Sequence, residues 1–215
     1  MLVERSIARD GSYELEVRKS RFICTVCRVA SEDAARSAIA SIRKSHWDAN
    51  HHCTAWQIDA GGRLQRSNDD GEPAGAAGVP MLEVLNRRNV TDVVAIVTRY
   101  FGGIKLGKGG LIRAYGAAVS QAIEQAGIVE RRPLRIVAVT VSHPESGRLE
   151  HIFQNLDAPL QHVAYNAASV TFTLHLKPDQ VSLFGAMVAE QTSGQAETGE
   201  TGSVIVEAPV DARGR

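Results

Sequence analysis

The sequence predicts an α+β protein with two domains, residues 1–130 and 134–210, the second of them ferredoxin-like. Three observations carry this prediction. Strand and helix patterns alternate along the chain, a charged segment at residues 130–133 reads as a linker, and the part after it follows the order βαββαβ. A chain of 215 residues is long enough for each of two such domains to bury a core.

The first domain begins with a stretch in which apolar and charged residues alternate. Tyr13, Leu15 and Val17 alternate with charged residues, and an apolar stretch at residues 22–29 follows, so two strands are predicted. Ser31 is positioned to cap the next helix. The predicted buried stripe of that helix is Ala35, Ile39 and Ile42.

The rest of the first domain is predicted to hold a hairpin, a short helix, a strand and a long helix. Residues 59–62 carry the glycines of a hairpin turn, and Gly127 is a plausible stop for the long helix. The predicted elements are the hairpin strands 53–58 and 63–67, the helix 81–87, the strand 93–100 and the helix 109–126. The long helix has a predicted apolar side of Ile112, Tyr115, Val119, Ile123 and Ala126, and a second face of Arg113 with the small residues Gly116, Ala117 and Ser120.

The second domain has a compact pattern of strands and helices. Residues 191–202 are rich in Gly, Thr, Glu and Ser and are predicted to form a mobile loop, which is also a candidate surface for a protein partner. The predicted elements are the strand 134–141, the helix 144–156, the strands 161–165 and 170–176, the helix 178–191 and the strand 203–206.

Composition excludes several classes of protein. No apolar run approaches the roughly 20 residues that cross a bilayer, and the N-terminus lacks a signal-peptide pattern. Three cysteines form no disulfide framework, so we expect a cytoplasmic protein without contact to membrane. Cys24 and Cys27 have CxxC spacing, but in a strand they face opposite ways and are interpreted as small core residues rather than a redox pair or zinc site.

The net charge of zero hides an asymmetry. Residues 1–132 contain 19 basic and 15 acidic side chains, whereas residues 133–215 contain 5 basic and 9 acidic ones. An imbalance of this size also arises by chance. If it is functional, it places an anionic partner on the first domain.

The most informative stretch is Thr98-Arg-Tyr-Phe-Gly-Gly-Ile-Lys-Leu-Gly-Lys-Gly-Gly-Leu-Ile-Arg113. A strand, a glycine loop and a helix in this order commonly form an anion site, because the first N–H groups of a helix have no internal partner. The loop nearly matches the nucleotide-binding P-loop, but Gly109 stands where the magnesium-binding Ser or Thr belongs. We therefore predict anion binding without nucleotide hydrolysis; the alternative is that the glycines serve only packing. The predicted anion- or RNA-binding residues are Arg99, Tyr100, Gly102, Gly103, Lys105, Gly107, Lys108, Gly109, Gly110 and Arg113.

A second cluster of residues is a candidate for acid–base catalysis. A histidine and a carboxylate brought together by the hairpin would suffice for acid–base chemistry, whereas a metal site is less favoured because adjacent histidines in a strand point apart. The acidic members also fit a turn that bonds its own backbone. The candidate residues are His51, His52, Asp69, Asp70 and Glu72. No metal or other cofactor is predicted.

Several long segments resemble the IMPACT/YigZ family. They are His51-His-Cys-Thr-Ala-Trp56, Asn68-Asp-Asp-Gly-Glu-Pro-Ala-Gly-Ala-Ala-Gly-Val-Pro-Met-Leu82, Val97-Thr-Arg-Tyr-Phe-Gly-Gly-Ile-Lys-Leu-Gly-Lys-Gly-Gly-Leu-Ile-Arg-Ala-Tyr-Gly116 and the shorter Lys19-Ser-Arg-Phe22. Lys108 departs from the family pattern, in which a small residue is frequent at this position. The resemblance implies an N-terminal α/β domain similar to the second domain of a small-subunit ribosomal protein, followed by a ferredoxin-like domain similar to those of elongation factor G.

The resemblance also implies a link to translation. Eukaryotic members of that family regulate translation, although through an additional domain that this sequence does not match. Together with the glycine loop, this predicts a regulatory protein that binds RNA or the ribosome and is not an enzyme. The alternative is an enzyme acting on a phosphorylated small molecule.

Overall fold

The computed structural model describes residues 4–59, 62–156 and 160–210. These residues form two compact units, one of residues 4–131 with 207–210 and the other of residues 132–206. Within the described parts of the chain, no helix is long and apolar enough to cross a membrane.

The first unit is built on a five-stranded antiparallel sheet with the strand order β2-β3-β6-β4-β5. β6 is central and almost wholly buried, which explains its unbroken apolar run. The strands are β1 (Glu4–Ile7), β2 (Gly11–Val17), β3 (Ser20–Arg28), β4 (His51–Ile58), β5 (Leu64–Asn68) and β6 (Val93–Tyr100), and the helices are α1 (Glu32–Ser45), α2 (Gly78–Arg88) and α3 (Lys108–Ala126).

Helices cover both faces of this sheet. α2 and α3 pack on the face that carries Phe22, Cys24 and Val97, and α1 packs on the face that carries Trp56 and Ile96. Successive residues of a strand therefore contribute to different cores.

The two cysteines with CxxC spacing follow this alternation. Cys24 is fully buried under α2 and α3, whereas Cys27 is half-buried on the α1 face. Burial raises the pKa of both thiols. Their interpretation as core residues is confirmed.

The caps predicted for two helices are also confirmed. Ser31 accepts a hydrogen bond from the Ala34 N–H at 3.2 Å, and α3 ends at Gly127 with a φ of 73°. The apolar side of α3 differs in one place, because Leu111 is buried and Ile112 is exposed toward a groove between α2 and α3. The hairpin strands β4 and β5 pair as predicted, although Ala60 and Gly61 of the turn lie outside the described residues.

The second unit has the ferredoxin-like fold. The predicted order βαββαβ is confirmed, and its sheet has the strand order β10-β7-β9-β8. Its core contains the alternating residues Val170, Phe172, Leu174 and Leu176 of β9 together with Leu149, Phe153, Phe184 and Val188. The elements are β7 (Ile128–Ser142), α4 (His143–Gln154), β8 (Leu160–Tyr165), β9 (Ser169–Leu176), α5 (Val181–Gln191) and β10 (Glu197–Pro209).

Two sequence interpretations need correction. Residues 130–133 contain the boundary between the two units, which falls after Arg131, but they are not an irregular linker, because they lie inside β7, whose residues 128–131 pair with the unpredicted strand β1. The mobile loop predicted at residues 191–202 is shorter than expected, since β10 begins at Glu197 and pairs with β7. In both cases a distant strand supplies the hydrogen-bonding partner, which composition does not reveal.

The glycine loop after β6 packs directly on the turn between β2 and β3. A Cβ atom on Gly102 would lie 2.0 Å from the carbonyl carbon of Lys19 and 2.5 Å from the Ser20 nitrogen. Only glycine permits this approach of two backbones. The β2–β3 turn itself places Arg18 and Lys19 at φ values of 47° and 65°, which are uncommon for residues with side chains.

We expect Gly102→Ala to lower the free energy of unfolding by about 1–3 kcal/mol, because the added methyl group must displace backbone. Gly109→Ala is the matched control, since its Cβ would meet only the end of the Arg113 side chain, at 3.7 Å. Urea denaturation of both variants measures the difference. Equal stability of the two variants would contradict the tight contact at Gly102.

Candidate anion-binding cleft

A cleft of about 450 Å³ lies between the glycine loop and the ends of β4 and β6. Its lining includes Lys105 and Lys108 from the loop and α3, together with His51, Glu72 and Arg99. The cleft therefore joins residues from the predicted anion site and from the alternative catalytic cluster, which the sequence analysis treated separately.

The backbone of the loop presents the start of α3 to this cleft. Gly103 and Gly107 have φ values of 82° and 72°, and Gly107 occupies the N-cap position of α3 without a side-chain capping bond. Gly109 and Gly110 lie in the first helical turn, where the N–H groups have no partner within the helix. The first turn carries no acidic residue.

Three cations surround this helix terminus. Lys105 and Lys108 line the cleft, and the Arg113 guanidinium Nη1 lies 3.7 Å from where a Cβ atom on Gly109 would be. Arg113 lines two neighbouring grooves and not the cleft itself. Among the described residues, none of the three forms an ion pair, so they add positive charge to a helix terminus that is itself partly positive.

Arg99, in contrast, is held in a buried ion pair. It is 5% exposed, and its Nη1 donates to Glu72 Oε1 at 2.5 Å. Its guanidinium carbon lies 5.2 Å from the Phe22 ring centroid and 5.5 Å from that of Phe101. The structure thus places the charge of Arg99 against Glu72 rather than at the surface, and leaves only its Nε without a hydrogen-bonding partner among the described residues.

Tyr115 completes the network around this ion pair. Its hydroxyl is buried and donates to Glu72 Oε1 at 2.7 Å, and the Cys53 Sγ lies 3.3 Å from the same hydroxyl oxygen. Burial raises the pKa of Cys53 to about 12, so this thiol is not activated as a nucleophile. The sequence pattern placed Tyr115 only on the apolar stripe of α3. Its hydrogen bond could have been anticipated, because a buried tyrosine hydroxyl requires a partner.

Tyr100 is separated from the cleft. Its side chain lies on the α1 face of the sheet, where its hydroxyl donates to Asp48 at 3.1 Å and lies 3.0 Å from His46 Nδ1. The aromatic ring at the cleft is instead Phe101, which is 46% exposed. Alternation along β6 explains why Arg99 and Tyr100 point to opposite faces.

His51 presents one ring nitrogen to the cleft. Its Nδ1 lies 2.9 Å from the Asp70 carbonyl oxygen, which can only accept, so Nδ1 carries the proton. The unprotonated Nε2 of the neutral ring then lies 4.0 Å from Glu72 Oε1. This geometry suits a hydrogen-bond acceptor or a general base.

The other three candidates of the catalytic cluster stabilise the fold. His52 is 8% exposed on the α1 face, and burial together with Arg43 lowers its pKa. Asp70 accepts from Arg43 at 2.6 Å and from the His52 N–H at 2.7 Å. Asp69 accepts three backbone N–H groups of residues 75–78 at 2.8–3.0 Å.

The pKa of Asp69 reflects these contacts. Burial by itself raises the pKa, but the three backbone hydrogen bonds, together with nearby Lys108, outweigh it and lower the pKa below its usual value. Asp69 is therefore an anchor for the start of α2 rather than a proton donor. Among the described residues, no group of three or more His, Cys, Asp or Glu side chains is arranged to hold a metal ion.

We expect Glu72→Gln to lower the free energy of unfolding by about 3–5 kcal/mol, because Arg99 would remain buried without a compensating charge. Glu83→Gln, on the exposed side of α2, is the matched control and should change stability by less than about 0.5 kcal/mol. Chemical denaturation at neutral pH measures both. A Glu72→Gln variant as stable as the control would contradict the ion pair's role.

Comparisons with known proteins agree with this architecture. The family model of the Impact N-terminal domain matches residues 18–123, and a model described as a domain of unknown function matches residues 139–195. The chain is 41% identical over 195 residues to the IMPACT family member YvyE of Bacillus subtilis, covering 91% of this chain and 89% of the relative. It is 36% identical over 184 residues to the IMPACT family member YigZ of Escherichia coli, covering 85% and 90%.

A solved structure has the same architecture. The crystal structure of a hypothetical protein, 34% identical in sequence, superposes with a TM-score of 0.60 and covers 92% of this chain and 97% of its own. The match with these relatives therefore extends over both the N-terminal and the C-terminal part of each. The chain belongs to the IMPACT family.

Proposed function

We propose that the chain is a translation-linked regulatory protein that binds RNA or the ribosome through its glycine loop. The observation that carries this proposal is the group of three cations near the N-terminus of α3, with no acidic residue in its first turn. The link to translation rests on the family resemblance. The RNA-binding part rests on the charge of this surface.

The charge at this terminus is unfavourable for the protein alone. A helix N-terminus carries about half a positive charge, and basic side chains beside it raise the local potential further. Acidic residues would be the stabilising choice at these positions. A bound phosphate resolves the conflict, because it accepts hydrogen bonds from the free N–H groups and neutralises the lysines.

The β2–β3 turn adds two more cations next to the loop. Arg18 and Lys19 are exposed and adopt positive φ values, a conformation that costs roughly 1–2 kcal/mol for each residue with a side chain. Asn-Gly would suit such a two-residue turn better. The presence of two strained basic residues beside Gly102 supports a charged binding surface that extends from the cleft onto this turn.

We expect wild-type protein to crosslink RNA in cells, and a Lys105→Glu/Lys108→Glu/Arg113→Glu variant to recover only background. In vitro, affinity for RNA should fall steeply with salt, because each neutralised phosphate of a single strand contributes about −0.7 to the slope of log K against log salt. Sequencing of co-purified RNA and fluorescence anisotropy measure the two effects. Equal background recovery from both proteins, or binding independent of salt, would remove RNA as the partner.

Replacing the strained turn separates loss of binding from loss of folding. Arg18→Asn/Lys19→Gly removes two charges and relieves the backbone, so this variant should be more stable than wild type and yet bind RNA more weakly, with a shallower salt slope. A variant that is more stable and binds as tightly as wild type would confine the binding surface to the glycine loop.

A second candidate function is favoured by the cleft itself. His51 Nε2 and two lysines share one cavity of about 450 Å³, which lies within the roughly 300–1,000 Å³ typical of small-molecule sites. The lysines would bind a phosphate group, and His51 would accept a proton. This arrangement suits an enzyme acting on a phosphorylated small molecule.

For an enzyme, we expect His51→Ala to lower turnover by about 10²- to 10⁴-fold while leaving ligand affinity nearly unchanged. A panel of sugar phosphates and nucleotides, followed by ³¹P NMR, would detect conversion by the wild-type protein. Asp70→Asn would not test catalysis, since Asp70 stabilises the fold. Absence of conversion for every compound on the panel would remove support for this candidate.

A further inference from the structure

We propose that the cleft holds one ribonucleotide unit, with its base stacked on Phe101 and its phosphate at the start of α3. The inference rests on the proposed function and deepens it. The proposed function requires only contact with a phosphate backbone. The inference is narrower, because it assigns the cleft to a single unpaired nucleotide. Under the proposed function, that nucleotide belongs to a single strand of RNA.

The dimensions of the site favour one nucleotide over a duplex. The cleft is an open, concave space of about 450 Å³ between the end of β6, the start of β4 and the loop. A double helix presents its phosphates on a wide convex surface and keeps its bases paired inside, so it cannot place a base in the cleft. A base that is already unstacked, in a single strand or at an end, can do so without the cost of opening a duplex.

Phe101 provides a stacking surface at the mouth of the cleft. One side of its ring is in contact with the Arg99 guanidinium, whose carbon lies 5.5 Å from the ring centroid, and the ring is 46% exposed. Its backbone N–H donates to Asn50 Oδ1 at 2.8 Å, which fixes the position of the residue. A positioned, half-exposed aromatic ring backed by a cation is a favourable platform for a base.

The polar groups at the cleft match a phosphate. Lys105 and Lys108 line it, and the first N–H groups of α3 border it. Independently of the helix terminus, Arg99 is 95% buried and lines the same cleft, and its Nε has no partner among the described residues. A buried donor without a partner calls for an explanation, and an acceptor bound in the cleft that this side chain lines would supply one.

His51 adds a basis for recognising ribose. Because Nδ1 is committed to the Asp70 carbonyl at 2.9 Å, Nε2 of the neutral ring is an acceptor that faces the cleft. A ribose 2′-hydroxyl can donate to it, whereas deoxyribose has no such donor. The cleft should therefore prefer RNA to DNA of the same sequence.

The test uses the whole protein and a fluorescein-labelled single-stranded RNA hexamer, the matching DNA hexamer and the RNA duplex. We expect binding in the order single-stranded RNA, then DNA, then duplex. Phe101→Leu should weaken binding of the RNA hexamer by about 5- to 150-fold, the range expected for the loss of one stacked base. His51→Ala should remove the preference for RNA over DNA.

Ile104→Ala is the matched control, since Ile104 is an exposed apolar residue of the same loop that does not line the cleft. Its affinity should remain within about twofold of wild type. Thermal unfolding of each variant shows that the proteins compared are folded. Titration with a nucleoside 5′-monophosphate distinguishes a free nucleotide from a nucleotide within RNA.

The outcomes separate the two levels of the proposal. If Phe101→Leu binds the hexamer as tightly as wild type while the triple glutamate variant does not bind, RNA binding by the loop stands and the nucleotide site is overturned. If a mononucleotide binds in a Phe101-dependent manner and the hexamer does not, the nucleotide site stands and the RNA function fails. If neither ligand binds, both are overturned.

Discussion

The buried ion pair between Arg99 and Glu72 organises the functional face of the first unit. It joins the end of β6 to the segment before α2, and the Tyr115 hydroxyl ties α3 to the same carboxylate oxygen. Three separate elements thus meet at one carboxylate, and His51 lies 4.0 Å from that oxygen. Because an unpaired charge in this environment is costly, the pair restricts all four side chains to one arrangement. The walls of the cleft depend on it.

The positive charge of the site has a different origin from this ion pair. Arg99 is compensated by Glu72, so the excess charge comes from exposed lysines and arginines on the loop, on α3 and on the β2–β3 turn. These segments contain backbone at positive φ and basic residues beside a helix N-terminus. Such features oppose stability, and their concentration on one face is typical of a surface selected for binding rather than for packing.

Contiguous features of the site were predictable from the sequence. The glycine loop and its lysines lie within a dozen residues of each other, and the strand before them and the helix after them follow from hydrophobic periodicity. Because side chains alternate along a strand, the sequence also predicts that Arg99 and Tyr100 point to opposite faces of the sheet. The pairing of Arg99 with Glu72 was not predictable, since the two residues are 27 positions apart and both types are usually exposed. The hydrogen bond from the Tyr115 hydroxyl to Glu72 was not predictable for the same reason, since these residues are 43 positions apart.

The sequence by itself determined the order of elements, the α+β class, the ferredoxin-like second part and the position of the glycine loop with its lysines, because these depend on local pattern and composition. Tertiary structure decided which side chains share a site. The β4–β6 register places His51 opposite Arg99, and this brings the histidine of one predicted cluster to the lysines of another. It also turned residues 130–133 and 197–202 into strand, because partners distant in the chain complete their hydrogen bonds. Register and pairing are properties of the folded chain, and no local segment encodes them alone.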